Sequence, residues 1–289
     1  MNVLQRLDHY EKLLRLDKPI GILLLLWPTL WALWLSAAGH PNWKITWIFV
    51  LGTVLMRSAG VAVNDYADRN FDPHVERTRN RPLASGAIKP VEALIVAAVL
   101  ALIAFVLILP LGRIVILLSF CALFLAVSYP FTKRFFVLPQ AYLGIAFGFG
   151  IPMAYAANTG GVPAIGWALL LANIFWTVAY DTEYAMVDRA DDRKLGIRTS
   201  AILFADLDVA AVMICHAIFL VIMAGIGWRL MLGWPYYVGL LAAAALTIHQ
   251  YFLIRARDPQ RCFRAFLGNN WLGCSVFVGI VLAYLLPAQ

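Results

Sequence analysis

The sequence predicts an all-α integral membrane protein with nine transmembrane helices, and three observations lead there. Hydrophobic residues make up 62% of the 289 positions, charged residues make up 13%, and the mean hydropathy is +0.78. A soluble domain carries roughly twice that share of charge. The charges fall in short segments between apolar stretches of about 20 residues, the length that crosses a bilayer as a helix. This composition excludes a soluble enzyme, a disordered chain and a nucleic-acid-binding protein.

The apolar stretches define the elements in order. Residues 1–18 mix charged side chains with leucines at helical spacing, which predicts an amphipathic helix on the membrane surface rather than a cleavable signal. A break at 158–163 divides an apolar stretch that is too long for one crossing. The predicted spans lie near 20–38, 45–64, 93–112, 114–132, 135–157, 164–180, 209–228, 230–254 and 265–289. We therefore expect one transmembrane domain over residues 1–289.

The basic residues predict the orientation of these spans. With the N-terminus inside, the inner segments carry 19 of the 23 Lys and Arg residues, and the outer loops carry only Lys44, Arg113 and Arg229. Inner loops of membrane proteins are enriched in positive charge, so the N-terminus is expected in the cytoplasm. The arginines of the loop after the second span, at 77, 79 and 81, are interpreted as part of this topological signal, with contact to diphosphate oxygens as the alternative.

An acidic motif ends the second span. Asn64, Asp65, Asp68 and Asp72 fall within about 100° of arc if the helix continues through them, so their oxygen atoms share one stripe. Pro73 predicts that the helix stops there.

A second acidic motif ends the sixth span, also on the inner side. Asp181, Asp188 and Asp192 fall within about 40° of arc on a helix. Grouped carboxylates repel one another unless a cation lies between them, and Mg²⁺ prefers such oxygen ligands while leaving coordination positions to phosphate oxygens. Two facing stripes are typical of a bridged Mg²⁺–diphosphate. The alternative is that these acids are solvated or paired with neighbouring arginines.

Other basic residues extend this candidate site. Arg57 lies about 10 Å deeper along the first stripe, where an arginine is costly unless it faces protein or water. Its forked guanidinium suits the carboxylate of a second substrate. Lys133 and Arg134 stand where the fourth span reaches the inner surface, either as diphosphate contacts or as topological charges alone.

These motifs resemble those of the intramembrane UbiA prenyltransferase superfamily. NDYADRNFD (64–72) and DTEYAMVDRADD (181–192) look like its two aspartate-rich motifs. LDKPIG (16–21), NRPLASG (80–86), YPFTKR (129–134) and KLGIRTS (194–200) resemble its bacterial branch that prenylates 4-hydroxybenzoate. The similarity runs in order through nearly the whole chain.

The resemblance implies both a fold and a reaction. The fold is nine helices around a central cavity that opens sideways to lipid, in the inner membrane of a bacterium. The reaction is Mg²⁺-dependent transfer of a polyprenyl group to the ring carbon ortho to the hydroxyl of 4-hydroxybenzoate, in ubiquinone synthesis. Asn64, Asp68 and Asp72 are expected to bind one Mg²⁺, Asp188 and Asp192 a second, and Lys133 and Arg134 the diphosphate. Asp181 is a candidate for orienting or deprotonating the hydroxyl, by its position alone.

Two alternatives stay open at this point. A relative within the superfamily can use another acceptor, such as a naphthoate, haem or a chlorophyllide. A membrane transporter is the alternative from a different class, with Arg57 and the acidic stripes forming an ion path. A transporter predicts ionisable groups near the middle of several spans, and Arg57 is the residue that qualifies.

Overall fold

The fold is all-helical throughout the part of the chain that the structure, a computed structural model, describes: residues 3–74, 78–132 and 134–286. The helices are α1 (Val3–Leu13), α2 (Ile20–Ser36), α3 (Trp43–Asp68), α4 (Pro90–Ile108), α5 (Arg113–Thr132), α6 (Pro139–Gly148), α7 (Gly150–Thr159), α8 (Ala164–Leu195), α9 (Ser200–Leu203), α10 (Asp208–Arg229), α11 (Trp234–Ile254) and α12 (Pro259–Leu285). This confirms the predicted fold class of an all-α integral membrane protein.

Seven helices in the described residues are long and apolar enough to cross a membrane. They are α3, α4 with the turn that follows it, α5, α8, α10 with the turn that precedes it, α11 and α12. The apolar helix α2 has 17 residues, and α6 and α7 have 10 residues each with Phe149 between them. α7 ends at Thr159 and is capped by Gly160, which has a φ of +75°. Gly160 lies within the predicted break at 158–163. Nine crossings therefore stay a prediction, which requires α2 to be one crossing and α6 with α7 another.

α1 precedes the first apolar helix and is attached to α4. Arg6 Nη2 lies 2.8 Å from Glu92 Oε1, and the Tyr10 hydroxyl donates to the same carboxylate. The segment between α1 and α2 reaches the end of α3, where Arg15 Nη2 lies 3.1 Å from Asp65 Oδ1.

An aromatic core fixes α8, the longest helix, against its neighbours. The ring of Trp176 lies 5.2 Å from that of Trp31 on α2 and 5.9 Å from that of Phe219 on α10, and all three side chains are fully buried. The indole N–H groups of both tryptophans have acceptors: Trp31 donates to Gly273 O at 3.1 Å, and Trp176 donates to Asn269 Oδ1 at 3.0 Å. Buried indoles need such acceptors. The core therefore positions α8 firmly between α2, α10 and α12.

The two helices that carry the acidic motifs end differently. α8 continues through Asp192 to Leu195 and closes at Gly196 with φ of +68°. α3 ends at Asp68, and Asp72 begins a separate 3-10 turn, Asp72–His74. The predicted single helical stripe through Asp72 is therefore wrong. The helix stops four residues before the turn that contains Pro73.

Candidate active site

A cavity of about 1710 Å³ opens among the helices and contains both acidic motifs in its wall. Its wall includes seven of the predicted site residues: Arg57, Asn64, Asp68, Asp72, Asp181, Asp188 and Asp192. Apolar side chains of α4 and α5 line another part of it, among them Leu102 and Phe120, which are also exposed on the molecular surface. One space thus joins a charged end to an apolar wall.

The first motif is held by contacts within it and by the loop that follows. Asn64 Nδ2 donates to Asp68 Oδ2 at 3.1 Å. Asp72 is 6% exposed, and its Oδ2 lies 2.9 Å from Arg81 Nη1. Thr78 Oγ1 donates to the Asp72 carbonyl at 2.9 Å, which fixes the turn. Burial raises the pKa of the Asp72 carboxyl, and Arg81 partly opposes this shift.

Asp65 organises two arginines that sequence reasoning left out of the site. Its side chain is buried and accepts from Arg15 Nη2 at 3.1 and 3.2 Å and from Arg81 Nη1 at 3.1 Å. Arg15 and Arg81 both line the cavity. The favoured interpretation of Arg81 as a topological charge does not account for these contacts, and a contact with diphosphate stays the alternative. The positions of Asp65 on the predicted stripe and of Arg81 within NRPLASG were the available signals.

The second motif lies on one continuous helix, as predicted. Asp181, Asp188 and Asp192 of α8 all line the cavity, with Asp181 two turns before Asp188. Glu183 belongs to the same motif but is fully buried outside this wall, where its Oε2 accepts from Asn269 Nδ2 at 2.8 Å. Glu183 therefore links α8 to α12, a role that its position in the motif did not indicate.

The carboxylates of the two motifs share a cavity without forming a compact cluster. Within the described ranges, no three Asp, Glu, His or Cys residues are grouped closely enough to hold a metal ion. The donors present are nevertheless carboxylate and amide oxygens, the ligand type that Mg²⁺ takes, and Mg²⁺ commonly keeps waters or phosphate oxygens as its other ligands. The donor set therefore fits Mg²⁺ bound together with a phosphate-bearing substrate.

Arg57 stands in the cavity wall, apart from the acidic motifs. Its guanidinium lies over the ring of Phe147 at 5.4 Å, and no ion pair to it occurs among the described residues. Gly21 of α2 lies against it: a Cβ at that position would be 2.6 Å from Arg57 Nη2. The glycine of LDKPIG therefore leaves room for the guanidinium.

Of the two predicted diphosphate contacts, the structure describes Arg134, which stands outside the wall of the cavity. Lys133 lies outside the described residues. Arg134 Nη2 donates to the Ala67 carbonyl at 3.0 Å, and its guanidinium lies 5.5 Å from the rings of Phe71 and Phe131. In this arrangement Arg134 supports the end of α3, and a contact with diphosphate stays a prediction.

Aromatic side chains also line the cavity. The lining contains Tyr129, Tyr180 and Tyr184 together with Phe147 and Phe149. Tyr184 packs 4.7 Å from Phe266 of α12, which lines the same cavity. The sequence alone did not single out these residues, because aromatic residues occur in every predicted span.

Comparisons with known proteins address this combination of fold and motifs. The UbiA prenyltransferase family model matches residues 25–280. The chain is 64% identical to the 4-hydroxybenzoate octaprenyltransferase of Thiobacillus denitrificans over 99% of this chain and 98% of that protein. It is 65% identical to that of Nitrosospira multiformis over 100% and 99%, respectively.

Solved structures share the fold. A UbiA homolog from Aeropyrum pernix K1 superposes with a TM-score of 0.80 at 25% identity, over 90% of this chain and 97% of that one. A UbiA homolog from Archaeoglobus fulgidus bound to GPP and Mg²⁺ gives a TM-score of 0.70 at 17% identity, over 94% and 99%. With its two acidic motifs at one cavity and this similarity along nearly its whole length, the chain belongs to the UbiA prenyltransferase family.

Proposed function

We propose that this protein transfers a polyprenyl group from polyprenyl diphosphate to 4-hydroxybenzoate, at the ring carbon ortho to the hydroxyl, and releases diphosphate. The observation that carries the proposal is the identity of 64% and 65% to full-length relatives named 4-hydroxybenzoate octaprenyltransferase. A cavity with an acidic end, an apolar wall and Arg57 in its lining supports the same assignment. We further propose that the product enters ubiquinone synthesis.

The acidic motifs are the proposed Mg²⁺ ligands. Asn64, Asp68 and Asp72 would hold one ion, and Asp188 and Asp192 a second. The oxygen donors of both motifs in one cavity support this, as does the fold shared with the Archaeoglobus fulgidus homolog bound to GPP and Mg²⁺. When bound, Mg²⁺ supplies Lewis-acid stabilisation of the charge that develops on the diphosphate.

The basic groups beside the first motif would bind the diphosphate oxygens. Arg15 and Arg81 line the cavity, and the Asp65 carboxylate forms ion pairs with both guanidinium groups. Donors held in advance at the place where negative charge develops stabilise the transition state without the cost of reorganisation. Lys133 and Arg134 stay proposed contributors at the end of α5.

Arg57 would bind the carboxylate of 4-hydroxybenzoate. A guanidinium can donate two parallel hydrogen bonds to a carboxylate, which fixes the orientation of the ring as well as its position. Asp181, also in the wall, would orient the hydroxyl or accept its proton. The ring of the acceptor would then present its ortho carbon to the prenyl group.

The aromatic wall would protect the allylic cation as diphosphate departs. Tyr129, Tyr180 and Tyr184 line the cavity, and aromatic faces attract a cation within about 6 Å. Apolar surroundings also keep out water, which would otherwise capture the cation as an alcohol. The prenyl tail would lie along the apolar side chains of α4 and α5 and reach lipid.

The test of the acceptor uses membranes that contain the protein, a long polyprenyl diphosphate and Mg²⁺. We expect 4-hydroxybenzoate to give a product prenylated ortho to its hydroxyl, identified by mass spectrometry and NMR, while a dihydroxynaphthoate gives none. A folded protein that prenylates the naphthoate and leaves 4-hydroxybenzoate unchanged would reject the assignment of substrate while preserving the reaction class.

We also propose that the protein lies in the bacterial inner membrane with its N-terminus and the acidic end of the cavity towards the cytoplasm. The apolar helices and the family make it an integral membrane protein. The 19 basic residues on the proposed inner side support this orientation.

A further inference from the structure

A buried ion cluster borders the second acidic motif and takes no part in the reaction proposed above. Asp208, the first residue of α10, is fully buried. Its Oδ2 lies 2.9 Å from Arg189 Nη2, and its Oδ1 lies 2.9 Å from Arg257 Nη2. Asp208, Arg189 and Arg257 all stand outside the wall of the cavity. They can therefore act on a substrate only through other residues.

The cluster joins three segments, and each of them supplies part of the wall. Arg189 follows Asp188 directly on α8. Asp208 directly follows the segment 196–207, and this segment lines the cavity with Ile197, Arg198 and Thr199. Arg257 stands just before α12, whose first turns line the cavity with residues 259, 260, 263 and 264. One carboxylate thus connects three parts of the acidic end.

The two arginines also bind the backbone of the segment between α8 and α10. Arg189 Nε donates to the Ala201 carbonyl at 3.1 Å, and its Nη2 donates to the Ala205 carbonyl. Arg257 Nη2 donates to the Asp206 carbonyl at 2.7 Å. Hydrogen bonds from a charged donor are stronger than neutral ones. A shift of this segment relative to α8 therefore breaks several charged contacts at once.

The first acidic motif has the same arrangement. Asp65, next to Asn64, is buried between Arg15 and Arg81, which come from two different loops. One arginine of each cluster, Arg15 and Arg257, has a left-handed backbone with φ of +56°. A non-glycine residue adopts that conformation where its surroundings require it. Each motif thus has a buried aspartate that fixes two arginines, and only those of the first motif reach the cavity.

We propose that Asp208 is a positioning residue for the second acidic motif. It holds Arg189 and Arg257 so that Asp188 and Asp192, the segment 197–199 and the start of α12 keep fixed positions around the bound metal and diphosphate. This inference rests on the proposed function. Arg57 lies on α3 beside Phe147, and Asp181 lies two turns before Asp188 within α8, so the acceptor end should not depend on Asp208.

The test compares Asp208→Asn with Asp206→Asn in the full-length protein in lipid nanodiscs. Asp206 is exposed and contributes its backbone carbonyl to the cluster, so its substitution is a matched control. For Asp208→Asn we expect the Mg²⁺ concentration at half-maximal rate and the KM for polyprenyl diphosphate to rise roughly 10- to 100-fold, the usual effect of removing a group that orients metal ligands. The KM for 4-hydroxybenzoate should stay at its wild-type value, and Asp206→Asn should match wild type throughout.

A binding measurement separates this inference from the proposed function. An unreactive prenyl thiodiphosphate with Mg²⁺ should raise the thermal unfolding midpoint of wild type and of Asp206→Asn, and Asp208→Asn should need a higher Mg²⁺ concentration for the same rise. This readout needs no acceptor. If wild type bound the analogue but did not prenylate 4-hydroxybenzoate, the proposed function would fail while Asp208 was still tested.

A purely structural role gives a different result. In that case Asp208→Asn would lower the amount of active enzyme while the Mg²⁺ requirement and both KM values stayed unchanged, and the inference would be wrong. If Asp208→Asn does not accumulate, Arg257→Gln replaces it, since the Arg257 side chain is 37% exposed, with Arg255→Gln as its control. An unchanged Mg²⁺ requirement in Arg257→Gln would equally overturn the proposal.

Discussion

Single residues distinguish the acidic end of the cavity from the part of its wall that contains Arg57. Arg57 lies beside Phe147 and Gly21, and no carboxylate of the described residues forms an ion pair with it. Arg15 and Arg81 at the acidic end are instead bound to Asp65 and Asp72. Arg57 is thus available for the carboxylate of an acceptor, and its substitution should affect the acceptor alone.

Arg57→Lys tests this role while keeping the positive charge. The ammonium group cannot reproduce the two parallel hydrogen bonds of the guanidinium. We expect the KM for 4-hydroxybenzoate to rise about tenfold, which corresponds to about 1.4 kcal/mol. The KM for polyprenyl diphosphate, measured in the same membranes, should stay at its wild-type value. Equal increases in both KM values would contradict a specific role in binding the acceptor.

Gly21→Ala tests the space that Arg57 occupies. The added methyl group would lie 2.6 Å from Arg57 Nη2, so the guanidinium must move. We expect a raised KM for 4-hydroxybenzoate, with no further rise when Gly21→Ala is combined with Arg57→Lys, because both changes remove the same interaction. Gly225→Ala is the control, since nothing lies within 4 Å of its added Cβ. Additive effects in the double variant would show that Gly21 acts on something else.

At the scale of the helix, prediction from sequence succeeded where one element carries the motif. Asp181, Asp188 and Asp192 lie on the continuous helix α8, so their spacing alone placed them on one face. α3 ends at Asp68 instead, because Asp72 and Thr78 form a turn that Arg81 binds. Arg81 is 16 positions from Asp65, and helical periodicity does not describe a contact through a loop.

Asp65→Asn tests whether these loops depend on the buried ion cluster. The Asp65 side chain is 1% exposed, and those of Arg15 and Arg81 are 20% and 15% exposed. The substitution removes the carboxylate charge that pairs with Arg15, while Arg81 keeps its pair with Asp72. Loss of one partner of a buried ion pair costs about 3–5 kcal/mol. The thermal unfolding midpoint in a fixed detergent should therefore fall clearly.

Asp8→Asn is the matched control for that experiment. It removes a carboxylate that pairs with Lys12 at 2.7 Å, but both side chains are about half exposed. Exposed ion pairs contribute little to stability. We expect no measurable change in its unfolding midpoint, and an equal fall in both variants would mean that burial does not distinguish the two pairs.

The whole molecule is organised by the placement of charge along the chain. The cavity wall takes charged residues from the α1–α2 loop, the end of α3, residue 81, the end of α8 and the start of α12. All of these belong to segments predicted to lie inside, so the sequence located the site at one end of the bundle. It could not predict the ion pairs between these segments, since they depend on how the helices pack.

The orientation of the protein in the membrane can be measured by adding one cysteine at a time. Ala256, between α11 and α12, is exposed and predicted to lie inside, whereas Ala164, at the start of α8, is exposed and predicted to lie outside. A membrane-impermeant maleimide should label Ala164→Cys in spheroplasts and Ala256→Cys in inverted vesicles. The wild-type protein, whose four cysteines are unpaired, is the background control. The reverse labelling pattern would invert the proposed topology.

The proposed reaction depends above all on the binding of Mg²⁺ by both acidic motifs. The decisive measurement is the rate of 4-hydroxybenzoate prenylation as a function of Mg²⁺ for wild type, Asp68→Ala, Asp188→Ala and Asp191→Ala. Asp191 is the control because it pairs with Lys194 and stands outside the cavity wall. We predict a Mg²⁺-dependent rate that EDTA abolishes, that is lost in Asp68→Ala and Asp188→Ala, and that Asp191→Ala retains. Full activity in EDTA, or in either motif variant, would contradict the account.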